Sequence, residues 1–159
     1  KMNLPALKCG VSHDKMNKEE LITFEEECVK RFLNKEIRSP MHLSGGNEEQ
    51  LIEIFKQIKQ EDWVFTTYRN HYHVLLKGMP REELMKQVLA NHSMHIMSKE
   101  YKIVTTAIVC GTIPQAVGVA MAIKRKEKER LEKEYTNAPK NVLVVEDNWG
   151  GIIHMSGAS

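Results

Sequence analysis

Three short runs rich in β-branched and aromatic residues set the limits on what this chain can become: WVFTT at 63–67, YKIVTTAIVCG at 101–111 and NVLVVEDN at 141–148. Their residue types fit the pleated, packed surface of a strand. Stretches with helical period separate them. Parallel strands need a crossover between them, and a helix usually provides it. The alternation therefore predicts an α/β domain with a doubly wound parallel sheet flanked by helices.

The helices are marked by their spacing and their ends. In NKEELITFEEECVKRFLNKEIR, Leu21, Phe24, Cys28 and Phe32 recur at helical intervals. Asn17 stands three residues before Glu20, the pattern of a capping box, which predicts a helix over 17–38. Pro40 and the Gly45-Gly46 pair mark SPMHLSGG as a loop. Asn47 is then the cap of a second helix, with Leu51, Ile54, Phe55 and Ile58 on one stripe. TYRNHYH reads as a polar loop beyond the first strand. Pro80 suits the first turn of a third helix that turns Leu84, Met85, Val88 and Leu89 inward. Gly111 closes the second strand, and Pro114 opens a helix of small residues (Ala116, Gly118, Ala120, Ala122) able to approach another backbone closely. Its continuation, KRKEKERLEKEY, is a solvated charged extension. Residues 1–16 show no period and read as an irregular leader, which leaves 17–159 as the domain.

Composition removes whole classes of function. The formal net charge is +2, without the concentrated basic excess of a chain that grips nucleic acid. No apolar run reaches the roughly 18 residues of a membrane span. The three cysteines, Cys9, Cys28 and Cys110, are widely spaced and form no CxxC pair, so a reducing compartment is expected. The first residues lack the apolar core of a signal peptide.

In open α/β sheets, ligands bind beyond the carboxyl ends of the strands. The predicted strands here end in TYRNHYH, CGTIP and EDNWGG, which brings polar and glycine-rich groups to one edge. Tyr68 and Arg69 supply a hydroxyl and a guanidinium fork, a pairing suited to phosphate oxygens, though a surface Arg beside a partly buried Tyr has the same pattern. His71 and His73 alternate, so on an extended segment they share a side, but a zinc site lacks its third ligand. His92 and His95 form HxxH in a polar loop, without the glutamate of a zinc-protease helix. Asp147 and Asn148 offer oxygens to a magnesium ion, or simply make an Asx turn. Cys110, in its apolar run, reads as core.

The blocks MHLSGGNEEQ, DWVFTTYRNHYHVLLKGMPREEL, NHSMH and VCGTIPQAVGVAMAIKRK, in this order, resemble the alpha subunit of the thiamine diphosphate-dependent decarboxylating component of 2-oxo acid dehydrogenase complexes, including its acetoin-dehydrogenase relatives. The similarity runs over about residues 20–126. It implies that Tyr68 and Arg69 bind the cofactor's diphosphate, that His42 and His95 are active-site histidines, and that Val109 and Gly111 line the aminopyrimidine pocket. It also implies a thiamine diphosphate-binding fold, magnesium held by Asp147 and Asn148, and a small 2-oxo acid as substrate.

The partners implied are a beta subunit, in a heterotetramer, and a lipoyl-bearing acyltransferase, in the cytoplasm or the mitochondrial matrix. The activating glutamate would come from the beta subunit. The end of the chain departs from the family pattern. NVLVVEDNWGGIIH matches either the family's Gly-Asp-Gly turn, with Glu146 and Asn148 in place of the glycines, or its later Asn-bearing turn. A family alpha subunit is longer than this chain, so the domain is expected to be incomplete. The alternative function is that of a truncated, non-catalytic relative serving as a scaffold or assembly module.

Overall fold

The structure, a computed structural model, describes residues 16–131, 141–145 and 152–156, the last two stretches as backbone. Asn17 starts the first helix, α1 (Lys18–Leu33), as the spacing predicts. Its side chain accepts from Glu20 N–H and the Glu20 carboxylate accepts from Asn17 N–H, both at 2.8 Å, so the capping box is complete. The helix stops at Leu33, short of the predicted 38. Lys35 takes a left-handed φ of 62°, its N–H bonding to Phe32 O and that of Glu36 to Arg31 O. This paired stop satisfies the last carbonyls. No glycine announces it.

The second helix, α2 (Glu48–Phe55), follows Asn47, whose side chain makes no capping bond. Next come β1 (Trp63–Thr66), α3 (His71–Leu76), α4 (Arg81–Leu89), β2 (Met97–Ser98), β3 (Ile103–Thr105), α5 (Thr112–Leu131), β4 (Asn141–Val145) and β5 (Ile152–Ser156). Segment 71–76 was expected to be loop and is helix. Its six residues are too few to display a period, and its stop at Gly78 (φ 101°) repeats the paired bonds of α1, as does that of α4 at Asn91 (φ 65°).

The sheet order is β2-β3-β1-β4-β5, with β1 parallel to both β3 and β4. Both edge strands run antiparallel to their neighbours, so the all-parallel expectation is corrected to a mixed sheet with a parallel centre. Strand β3 is also shorter than the run YKIVTTAIVCG. Beyond it the Thr106 hydroxyl accepts from Ile108 N–H, and Gly111 N–H turns back to Ile108 O. A side chain that bonds its own backbone competes with the ladder and ends it. Cys110 therefore lies in an exposed turn with φ 60°, and its assignment to the core is overturned.

Successive strand residues point to opposite faces. Val64 and Ile103 join α1, α2, α3 and α4 in the larger core, while Phe65 and Val104 pack with Ala116 of α5 on the other face. Leu84, Met85 and Val88 are buried as α4 was expected to place them, with Leu89 at the margin. The helices thus cover both faces, and β1 leads onto one while β3 leads onto the other. In open α/β sheets, ligands bind at the carboxyl ends of adjacent strands whose connections part in this way.

Candidate functional site at the carboxyl edge of the parallel strands

Strand β1 delivers its last residues to that edge. Thr66 and Thr67 are buried, Tyr68 and Arg69 half-buried, and Asn70 buried. Asn70 Nδ2 donates to Ser93 O at 2.9 Å and to Thr105 Oγ1 at 3.2 Å, which ties the β1 end to β3 and to the segment after α4.

Loop 41–46 folds over Tyr68 and Arg69. The His42 and Tyr68 rings lie 4.4 Å apart, tilted at 49°, and Arg69 Nη1 donates to the Leu43 carbonyl. Two helix carboxylates hold the rest of the loop from below. Glu25 of α1 accepts from Ser44 N–H at 2.9 and 3.0 Å, and Glu48 of α2 accepts from Gly46 N–H at 2.8 Å. The Tyr72 hydroxyl adds a bond to Glu48 at 3.1 Å. Between these anchors Gly45 and Gly46 have φ of 54° and 88°, a left-handed pair that side chains with a Cβ resist. Burial pushes the Glu48 carboxyl up. The N–H groups of Glu48 and Gly46, the Tyr72 hydroxyl and Lys18 together outweigh it, so its pKa falls below the ordinary value.

His42, Tyr68 and Arg69 are therefore brought together. Gly111 and Val109 lie in the turn after the neighbouring strand, Val109 half-exposed. A Cβ on Gly111 would meet Ile108 Cβ and O at 3.0 Å, so the turn is tightly packed there. His95 is exposed in the segment after α4, as is His92. Asp147 and Asn148 lie outside the described residues. The alternation of His71 and His73 fails as a shared side. On a helix, residues two apart stand about 200° around the axis. His71 bonds to Glu25 and Ser93, whereas His73 packs its ring edge-on against Phe55 at 5.9 Å. Among the described residues no cluster of three or more His, Cys, Asp or Glu groups is placed to hold a metal.

The family described as the dehydrogenase E1 component matches residues 16–135. This chain belongs to the dehydrogenase E1 component family. It is 29% identical over 115 residues to the pyruvate dehydrogenase E1 component subunit alpha-3, chloroplastic, of Oryza sativa subsp. japonica, covering 66% of this chain and 27% of that protein. To the subunit alpha of Porphyra purpurea it is 29% identical over 107 residues, 61% of this chain and 31% of the relative. The mitochondrial subunit alpha of Dictyostelium discoideum is 29% identical over 127 residues, 68% of this chain and 33% of the relative. The chain thus spans about a third of the length of these curated relatives. The alpha-subunit resemblance read from the ordered blocks agrees with all three.

Sequence reading missed four residues of this dehydrogenase E1 chain that shape the site: Glu25, Glu48, Asn70 and Ser93. One signal for the two acids was available. Glu25 sits on the apolar stripe of Leu21, Phe24 and Cys28, and Glu48 stands on the stripe of Leu51 and Phe55. A carboxylate on a buried face needs donors, and donors from a nearby loop are the cheapest to supply. Asn70 and Ser93 carry no such mark, because their partners come from distant segments.

Proposed function

We propose that this chain is the alpha-type part of a thiamine diphosphate-dependent 2-oxo acid dehydrogenase, and that it receives the cofactor diphosphate at the carboxyl edge of β1. The observation that carries the reading is the joint placement of Tyr68, Arg69 and His42, in a member of this family, at the carboxyl edge of a parallel strand. The donor set fits. A phenol and a guanidinium stand half-buried there, at the end of a strand whose buried Thr66 and Thr67 hydroxyls have no partner among the described residues. Buried polar atoms of that kind favour a ligand or ordered water able to bond them.

When bound, thiamine diphosphate supplies the electron sink that lets a 2-oxo acid lose carbon dioxide. Arg69 fixes phosphate oxygens while anchoring the loop, so binding and the position of His42 are linked. His42 and His95 are the imidazoles available to exchange protons with bound substrate. Val109 and Gly111 form part of the wall around the ring system. The family resemblance assigns magnesium ligation to Asp147 and Asn148, which lie outside the described residues. Transfer to a lipoyl arm and activation by a beta-subunit glutamate belong to the assembled complex. The exposed apolar residues Ile108, Val109, Val117 and Met121 support a partner that covers α5 and the turn before it. Among the described residues no helix is long and apolar enough to cross a membrane. The mitochondrial matrix or the cytoplasm is proposed as the compartment.

Calorimetric titration with thiamine diphosphate and magnesium, of the chain mixed with a beta-type subunit, tests this. Saturable heat that disappears in Arg69→Ala supports the reading. Absence of heat in the mixture favours the scaffold alternative.

A further inference from the structure

Beneath the site, Glu25, His71 and Ser93 form a hydrogen-bonded line through the interior. His71 Nδ1 lies 3.3 Å from Glu25 Oε1, and its Nε2 lies 2.9 Å from Ser93 Oγ. The three residues are 5%, 0% and 1% exposed, and the Phe24 ring meets the imidazole edge-on at 5.8 Å. An ionised carboxylate only accepts hydrogen bonds, so the network assigns the imidazole proton to Nδ1 and leaves Nε2 to accept from the Ser93 hydroxyl. Carboxylate, imidazole and hydroxyl in this order are the groups of an acyl-transfer triad. Ser93 is sealed, however, and a nucleophile that no carbonyl can reach performs no such chemistry.

The line instead joins two stretches of backbone. At one end Glu25 holds the Ser44 N–H, two residues after His42. At the other, Ser93 stands two residues before His95, in a segment that Asn70 and Thr105 tie to β1 and β3. The two histidine-bearing segments are thus linked through a single buried ring.

We propose that Glu25, His71 and Ser93 are positioning residues, a relay in which the His71 imidazole couples the His42 loop to the His95 segment. Loss of the hydroxyl at one end releases the Ser44 N–H at the other. The catalytic meaning of this coupling rests on the function proposed above; the coupling itself does not.

Two measurements on the full chain test it. Nitrogen-15 spectra of wild-type His71 should show the Nδ1–H tautomer, and an Nε2–H tautomer overturns the relay without any substitution. Amide hydrogen exchange in Ser93→Ala should speed up about tenfold at Ser44 as well as at 92–96, with the amides of Phe24 and Cys28 in α1 unchanged. Restoration by Ser93→Thr, which keeps the hydroxyl, distinguishes coupling from general loosening. Exchange at Ser44 equal to wild type in Ser93→Ala overturns the proposal. Coupling found in a chain that binds no thiamine diphosphate, even with its beta partner, removes the function and leaves the relay standing.

Discussion

Arg69 Nη1 donates to the carbonyl oxygen of Leu43, so the side chain suited to phosphate also fastens the loop that carries His42. The guanidinium is planar and offers five N–H donors in fixed directions, which lets one residue serve a backbone carbonyl and an oxyanion together. Glu25 and Glu48 hold the same loop through the Ser44 and Gly46 N–H groups.

Substitution at Arg69 should therefore divide by chemistry. Arg69→Lys keeps the charge but loses the fork, and its affinity for thiamine diphosphate is expected to fall about tenfold or more, with Arg69→Ala falling further. Both should keep the wild-type circular dichroism spectrum, because the side chain is only half-buried. Unchanged affinity in Arg69→Ala, measured by calorimetry with the partner present, would remove Arg69 from the site.

Gly111→Ala should strain the turn between β3 and α5. The added Cβ would meet Ile108 Cβ and O at 3.0 Å and Thr106 Cγ2 at 3.2 Å. Two of these contacts are with the turn's own backbone or a branched Cβ, which cannot swing aside. A loss of about 1–3 kcal/mol is expected in urea unfolding. Gly118→Ala is the control, since nothing lies within 4 Å of its added Cβ. Equal stabilities for the two variants would contradict the crowding at Gly111.

Acid should destabilise the chain through His73. Burial pushes its pKa down from 6.5 to about 4, against an opposing contribution from the Arg69 backbone. Between these values the unfolded chain binds a proton that the folded chain refuses. Stability therefore falls as pH drops from 6.5 towards 4, by about 1.4 kcal/mol per pH unit and about 3 kcal/mol in all. His73→Phe, packed against Phe55, should flatten this part of the curve. Parallel curves for the variant and wild type, from denaturant melts at successive pH values, would exclude His73 as the source.

The two described cysteines should differ sharply in reactivity. Cys28 is fully buried, and its thiol is pushed up to about 12, first by burial and then by the charges of Glu25 and Glu27. Cys110 is exposed in its turn. Only a thiolate at an accessible surface alkylates quickly. Iodoacetamide with peptide mapping should label Cys110 in the native chain and Cys28 only after unfolding. Early labelling of Cys28 would show that α1 opens.

Several elements follow from the sequence alone. Local signals suffice for them: the Asn17–Glu20 box needs only its own turn, the stripe of Leu21, Phe24 and Cys28 needs only helical period, and Trp63–Thr66 needs only strand-favouring residues. The carboxyl-edge position of Tyr68 and Arg69 follows from the alternation of strands and helices. Long-range packing decided the rest. His71 and His73 read as a polar pair, yet α3 buries both, because the four helices on that face of the sheet leave no solvent there. The stop at Lys35, the antiparallel strand β5 and the exposure of Cys110 depend on where the chain turns back, which no local period encodes. The bonds of Glu25 with Ser44 and His71 span 19 and 46 residues. Such pairings exist only once the core has folded, since a buried carboxylate takes whatever donors the surrounding segments bring to it.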